Sequence, residues 1–262
     1  MGALVGSENA RQMLDRGEDY QAAMIARGHE LGMDVFPSVR MNDNHFNGVA
    51  SPSEAADRDD MTAMRLEHPE WTLGTSTTPW FATSWNLSVP EVRQHLFDAI
   101  VELCERADWD GVELDWQRHG FHLPEDEAFR LRYVITDLQR AVRVATDKIA
   151  AKRGRPFLLA ARVSTSLESC HNTGYDVEAW LAEGLVDLLI PAANAETDPS
   201  IDVAAWQALC KPHGVPVYPG FDASLPNASA WQGEPAQKRE LQLKNRTAIN
   251  AMPNSVHELV GI

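Results

Sequence analysis

Asp108-Trp109-Asp110-Gly111-Val112-Glu113-Leu114-Asp115-Trp116-Gln117-Arg118-His119 is the stretch whose reading decides the fold. Apolar Val112, Leu114 and Trp116 alternate with Glu113, Asp115 and Gln117, and a period of two is a strand. Carboxylates on one side of a strand cannot face a dry sheet interface, because buried unpaired charge is too costly. They can line the watered mouth of a closed barrel, where the carboxyl ends of strands carry chemistry. The bland alternative is an edge strand with a solvated polar face. An amphipathic helix pattern immediately before it, Pro90 to Arg106, and the tryptophans around it argue for a strand packed under helices instead.

Outward from that stretch, strands and helices alternate. Towards the amino end, Asp34 to Met41 reads as a strand, preceded by a helix from Asp19 to Leu31 that Gly32 stops. Its exit, Asn42-Asp43-Asn44-His45-Phe46-Asn47, is densely polar. A long connection over residues 48–80 follows, and connections of that length are often functional. Phe81 to Leu87 reads as the next strand, and Ser88 with Pro90 and Glu91 as a capped helix start. Towards the carboxyl end the pattern gives a helix from Glu125 to Ala151, a strand from Phe157 to Val163 and a helix from Asp176 to Glu183. Then come a strand from Leu185 to Ala192, a helix from Asp202 to His213 and a strand from Val215 to Phe221. A last helix runs from Ala236 to about Met252. Ala3 to Gly6 and Ser255 to Ile262 are the two weak strands at the ends.

Repeated strand–helix units mean a parallel sheet with right-handed crossovers. The expected fold is α/β: a single (β/α)8 barrel domain over residues 1–262, incomplete at the first and last strands. The 262-residue length is normal for that architecture. An open doubly wound sheet is the alternative, but no glycine-rich phosphate loop follows any strand. Gly-x-Ser-x-Gly is absent too, which argues against a nucleophile-elbow hydrolase.

Composition narrows the partners. A formal charge of −15 argues against nucleic acid and anionic membrane surfaces. No apolar run is long enough to cross a bilayer, and no basic segment followed by an apolar stretch marks a signal peptide. Localisation therefore stays open between cytoplasmic and secreted after processing. Cys104, Cys170 and Cys210 are far apart and odd in number, so they form neither a disulfide framework nor a metal set. No cofactor is expected. Exposed strand edges in an incomplete barrel would allow a homo-oligomer.

In a barrel the polar strand ends meet at one rim. Arg40, Asn42, Asp43 and His45 follow one strand and Asn86 ends the next. Glu113, Asp115, Gln117, Arg118 and His119 end the central one. Arg162 and Glu168 follow another, Asn194, Glu196 and Asp198 another, and Asp222 the last. Glycoside cleavage needs an acid to protonate the leaving oxygen and a carboxylate as base or nucleophile. Glu113 and Asp115 are two apart on one strand, about 7 Å between Cβ atoms, and two like charges that near push one pKa up. Asp115, nearer the mouth, reads as the acid, with Asp43, Glu113 or Glu196 as base. Arg40, Arg118, Arg162 and His119 would hold hydroxyls or a carboxylate. Trp80, Trp85 and Trp116 are candidate stacking faces, with Trp116 on core parity. A buried carboxylate–arginine network that merely fills the barrel is the competing account.

Arg40-Met41-Asn42-Asp43-x-His45, Pro90-Glu91-Val92-Arg93, the segment from Asp110 to His119, and Gly184 to Leu189 together resemble the glycosyl hydrolase-like (β/α)8 family of largely uncharacterised bacterial proteins. The resemblance runs from about Asp19 to Asp222. It implies a hydrolase acting on an oligo- or polysaccharide. The central stretch also looks like the chitinase-type (family 18) signature Asp-Gly-x-Asp-x-Asp-x-Glu. Asp110 and Asp115 match, Glu113 replaces an aspartate, and Gln117 stands where that family places its proton-donating glutamate. An amide cannot donate that proton, so the acid would have to be Asp115 or Glu113. Two other classes remain in view. One is a metal-dependent hydrolase using Asp43, His45 and His119, with His122 and His171 as further donors. The other is a barrel that binds carbohydrate without cutting it.

Overall fold

The computed structural model describes residues 2–42, 62–194, 198 and 201–220. The calls at Asp43, His45, Glu196 and Asp222, the long connection up to residue 61, the helix at 236–252 and the strand at 255–262 lie outside them. Among the described residues the architecture is α/β, built on a parallel sheet of β1 (Ser38–Arg40), β2 (Gly111–Asp115), β3 (Leu158–Val163) and β4 (Leu188–Pro191). The sheet order is β1-β2-β3-β4 and every pairing is parallel. Each strand is added on the same side of the last, without the reversal that defines a doubly wound sheet. Parallel bridges Leu189↔Val217 and Ala192↔Gly220 carry the sheet one step further, where the sequence reading placed a strand ending at Phe221. What these residues form is a four-strand arc with that extension; the closed barrel of eight strands is not what they display.

The helices are α1 (Gly2–Asp15), α2 (Tyr20–Glu30), α3 (Ala63–Glu67), α4 (Pro90–Arg106), α5 (Arg132–Arg153), α6 (Leu167–Thr173), α7 (Val177–Ala182) and α8 (Val203–Cys210). Asp19 caps α2 by accepting from Gln21 N and Ala22 N, and Asp176 and Asp202 cap α7 and α8 in the same way. Helix α4 begins at Pro90 with no side-chain cap, so Ser88 does not play that part. No helix among the described residues is long and apolar enough to cross a membrane.

Two strand readings are corrected. Ala3 to Gly6 lies inside α1, where Glu8 pairs with Arg11 and Gln12 at helical spacing. Phe81 to Leu87 is a 3-10 turn, Pro79–Phe81, followed by a looped segment holding one antiparallel bridge, Thr72↔Trp85. Its backbone groups are used elsewhere. Trp85 N donates to Asn42 Oδ1, Trp85 O accepts from Asn42 Nδ2, and Leu87 N donates to His122 O. A side-chain amide therefore occupies the edge that a neighbouring strand would need. Helix α6 was not anticipated, since its seven residues carry too little apolar periodicity.

The outward face of the sheet is the core. Val112, Leu114, Leu159, Ala161, Val163 and Leu189 are fully covered, and α4 and α5 cover them with Val92, Ile100, Val134, Ile135, Leu138 and Val142. Each of the Val, Leu and Ile side chains contributes about 1.5–3 kcal/mol of transfer free energy. Trp116 is wholly buried, as its parity implied. Its indole N–H donates to Gln139 Oε1, whose amide donates in turn to Leu185 O. Cys104, Cys170 and Cys210 are buried free thiols, and burial pushes the first two up to about 12. At Gly111 a Cβ would stand 2.4 Å from Leu158 O and 2.7 Å from the Phe36 ring, so only glycine allows β1, β2 and β3 to enter the sheet this closely.

Candidate active site at the carboxyl end of the sheet

Register decides which side chains meet. Arg40 lies opposite Asp115, and Asp115 opposite Arg162, with Ser38 opposite Glu113 and Glu113 opposite Ala160. In-register neighbours of a parallel sheet point to the same face, about 4.8 Å apart. Arg40, Asp115 and Arg162 thus form a row across three strands, one pleat nearer the carboxyl end than Ser38 and Glu113.

Asp115 is the hub of that row. Its carboxylate is forked by Arg162 Nη1 at 3.1 and 2.9 Å, and Oδ1 also accepts from Gln117 N at 3.1 Å and Arg118 N at 2.9 Å. One aspartate therefore ends β2, turns the chain after it and neutralises the arginine of the next strand. Arg162 Nη2 donates to Ala193 O at 2.9 Å. Gly220 lets its segment come close to β4: a Cβ there would lie 2.9 Å from Ala192 Cβ, while Arg162 Nε would be at ordinary contact, 3.8 Å. Both arginines share the face of Asp115 by register, and of the two Arg162 is the one that contacts it. Arg40 is exposed, and among the described residues it makes no hydrogen bond to Asp115 or Glu113. Position on a strand fixes its face; a long flexible stem leaves the guanidinium in water.

Glu113 is half-buried beneath Asp115 and accepts the Ser38 hydroxyl at 2.6 Å. Burial raises its carboxyl above the ordinary value, and the charge of Asp115 adds to the rise. The Ser38 hydrogen bond and the Arg162 charge oppose it without cancelling it. Like-charge crowding was the signal the sequence offered; desolvation is the larger cause.

A buried polar scaffold holds the loop after β2. Tyr175 donates its hydroxyl to Trp116 O at 2.6 Å or Gly120 O at 2.7 Å. His122 Nε2 faces Trp116 O at 2.9 Å, and its Nδ1 faces Asn42 Nδ2 at 3.3 Å. Burial pulls His122 down to about 4, so the ring is neutral and both nitrogens are engaged. This scaffold holds His119 at φ 59, with its N–H on Asn194 Oδ1. Asn42 is spent here on Trp85 and Phe121 O. Asn86 accepts from Ser88 N. Trp85 is half-buried with the Arg65 guanidinium 4.3 Å over its ring, while Trp80 is exposed. Glu168 is exposed in the first turn of α6, and His171 pairs with Glu178 on the surface. Among the described residues no group of three or more His, Cys, Asp or Glu side chains sits together as a metal site.

Gln117 Oε1 accepts the Ser164 hydroxyl at 2.8 Å, which turns its N–H donors away from Ser164. Ser164 and Tyr175 were missed by sequence reasoning, which did place Asn194 on the rim. Ser164 is one residue past β3, on the parity of Arg162, so period two could have found it. Tyr175 carries no such signal. Asp110 sits at the opposite end of β2 and is scaffold. It accepts from Val35 N at 2.8 Å and faces His29 and Arg155. Burial would raise it, but the Val35 N–H, His29 and Arg155 outweigh that and hold it below the usual carboxylate range.

The class defined by these features is an α/β protein whose parallel sheet gathers carboxylates, arginines and an amide at its carboxyl end. No protein-family model matches the chain, and no curated protein matches it. Among solved structures it is similar to a family 18 N-acetylglucosaminidase from Paenibacillus barengoltzii, at 18% identity and a TM-score of 0.38, over 71% of this chain and 67% of that one. It is also similar to a chitinase from Bacillus thuringiensis, at 20% identity and a TM-score of 0.36. There the match spans 52% of this chain and about a quarter (25%) of the chitinase's length. Likeness this loose transfers no residue roles.

Proposed function

We propose that the chain is a glycoside hydrolase in which Glu113 donates the proton to the leaving oxygen. Asp115, paired with Arg162, is the ionised carboxylate that faces the positive charge developing on the sugar. The observation that carries this reading is the asymmetry of the two carboxyl groups. They lie on one face, two residues apart, in opposite environments: Asp115 takes an arginine fork, whereas Glu113 is desolvated with its pKa raised. A desolvated carboxyl group beside an arginine-paired one on the same face can divide acid and base work with it. The roles are therefore exchanged relative to the sequence reading, which gave the proton to Asp115. Asp43 and Glu196 stay the candidate bases for activating water. Arg40, Arg118, His119 and Trp85 are the proposed sugar contacts, with His45, Asn42 and Asn86 shaping the rim. The test is a panel of aryl glycosides and defined oligosaccharides, assayed from pH 4 to 8. Turnover that falls as pH rises through the raised Glu113 pKa is the expected result.

Gln117 supports a second reading, a carbohydrate-binding protein without catalysis, because an amide stands where the chitinase-type signature has its acid. A saccharide bound stably, with no product after prolonged incubation, would favour it.

A further inference from the structure

We infer that the saccharide taken by this site carries a carboxylate, and that Arg40 and Arg118 bind it. This inference rests on the proposed function and goes beyond it by naming the ligand's charge. Most guanidinium groups here are already committed. Arg140 faces Glu183 and Asp137, Arg155 faces Asp108 and Asp110, and Arg162 faces Asp115. Among the described residues at the carboxyl end of the sheet, two are not. Arg40 is the in-register neighbour of Asp115 and exposed. Arg118 is half-buried three residues beyond β2, its backbone N–H held by the Asp115 carboxylate and its Nε buried without a hydrogen-bond partner. A buried guanidinium N–H left without an acceptor is costly, and a ligand oxygen would relieve it.

The local charge balance supports the same conclusion. Asp115 is matched by Arg162, and Glu113 holds its proton more tightly than an ordinary glutamate. At the carboxyl ends of β1 and β2, among the described residues, Arg40 and Arg118 are then the charges left unmatched, on a chain whose formal charge is −15. Whole-protein charge of that sign repels anions in general, so taking one up depends on local, unmatched guanidinium groups. The fork of a guanidinium matches a carboxylate in two parallel hydrogen bonds. The Gln117 amide beside Arg118 adds a neutral donor.

The experiment is calorimetric titration of the whole protein with three probes: a hexuronic acid oligosaccharide, its neutral hexose counterpart, and a hexose phosphate. The acidic oligosaccharide is expected to bind about 10–100-fold tighter than the neutral one, the range of charge-assisted hydrogen bonds. Arg40→Ala and Arg118→Ala should each shrink that ratio at least several-fold. Arg118→Lys, which keeps the charge and loses the fork, should fall between, and it guards against a folding defect in Arg118→Ala. Equal binding of the acidic and neutral oligosaccharides overturns the inference and leaves the glycosidase reading standing. A ratio untouched in both alanine variants overturns it too. Tighter binding of the phosphate than of the uronic acid replaces the carboxylate with a phosphate. Binding of no saccharide at all removes both readings together.

Discussion

Glu113→Gln should lower glycoside turnover by about 10²–10⁴-fold, the range general acid catalysis contributes, while the melting temperature at neutral pH rises or holds. Glutamine keeps the shape and can still accept the Ser38 hydroxyl. It loses only the titratable proton. The sign of the stability change follows from linkage. The folded-state pKa of Glu113 lies above its unfolded value, so the folded state binds the proton more tightly and ionisation opposes folding. Below the unfolded value both states are protonated and the penalty is absent. It grows as pH rises through the two values and is complete above the raised one. The melts of wild type and Glu113→Gln should therefore converge in acid and separate towards neutrality, with the variant the more stable. Turnover unchanged in the variant would take Glu113 out of the mechanism. A lower melting temperature at pH 7 would mean that its charge is a structural requirement.

Asp115→Asn should cost roughly 2–4 kcal/mol of stability, somewhat below the 3–5 kcal/mol typical of breaking a fully buried ion pair. The side chains of Arg162 and Asp115 are 19% and 8% exposed, and Arg162 keeps its bond to Ala193 O. The discount is for that residual solvation. The amide oxygen can still accept from Gln117 N and Arg118 N, so the turn after β2 should survive. For a chain of this size each kcal/mol moves the melting point by about 2–4 °C, so a loss of several degrees is expected. Replacing both partners, Asp115→Asn with Arg162→Met, should recover part of it, because an uncompensated guanidinium costs more than an apolar chain of similar length. If the single variant melts like wild type, the ion pair is idle and Asp115 is free for other work. Activity should fall in the same variant, since the charge facing the sugar is gone.

Much of the scaffold was legible in the sequence. Helix α4 begins and ends where its apolar periodicity does, at Pro90 and Arg106. The alternation from Val112 to Trp116 gave both the strand and the burial of Trp116, and the parity of Arg162 led to its fork on Asp115. These rest on local spacing, which a sequence displays directly. What escaped was set by long-range partners. Nothing local to Phe81–Leu87 shows that the amide of Asn42, more than 40 residues earlier, takes the backbone edge of Trp85. Nothing near Arg40 tells whether its guanidinium turns towards Asp115 or into water. The assignment of the proton to Asp115 rested on nearness to the mouth, which was readable. Which of the two carboxylates would take the Arg162 fork was not. For Glu113 the like charge at Asp115 was visible, while the larger cause, desolvation beneath that row, belongs to packing.

The carboxyl carbon of Glu113, followed by NMR through a pH titration of the whole protein, tests the central claim most directly. The account predicts a midpoint above the ordinary glutamate value of 4.5. The same titration in Asp115→Asn should give a lower midpoint, because the like charge is gone while Arg162 and the Ser38 hydrogen bond remain. A wild-type midpoint at or below 4.5 would contradict the account, leaving Glu113 an ordinary ionised carboxylate and the site without its proton donor.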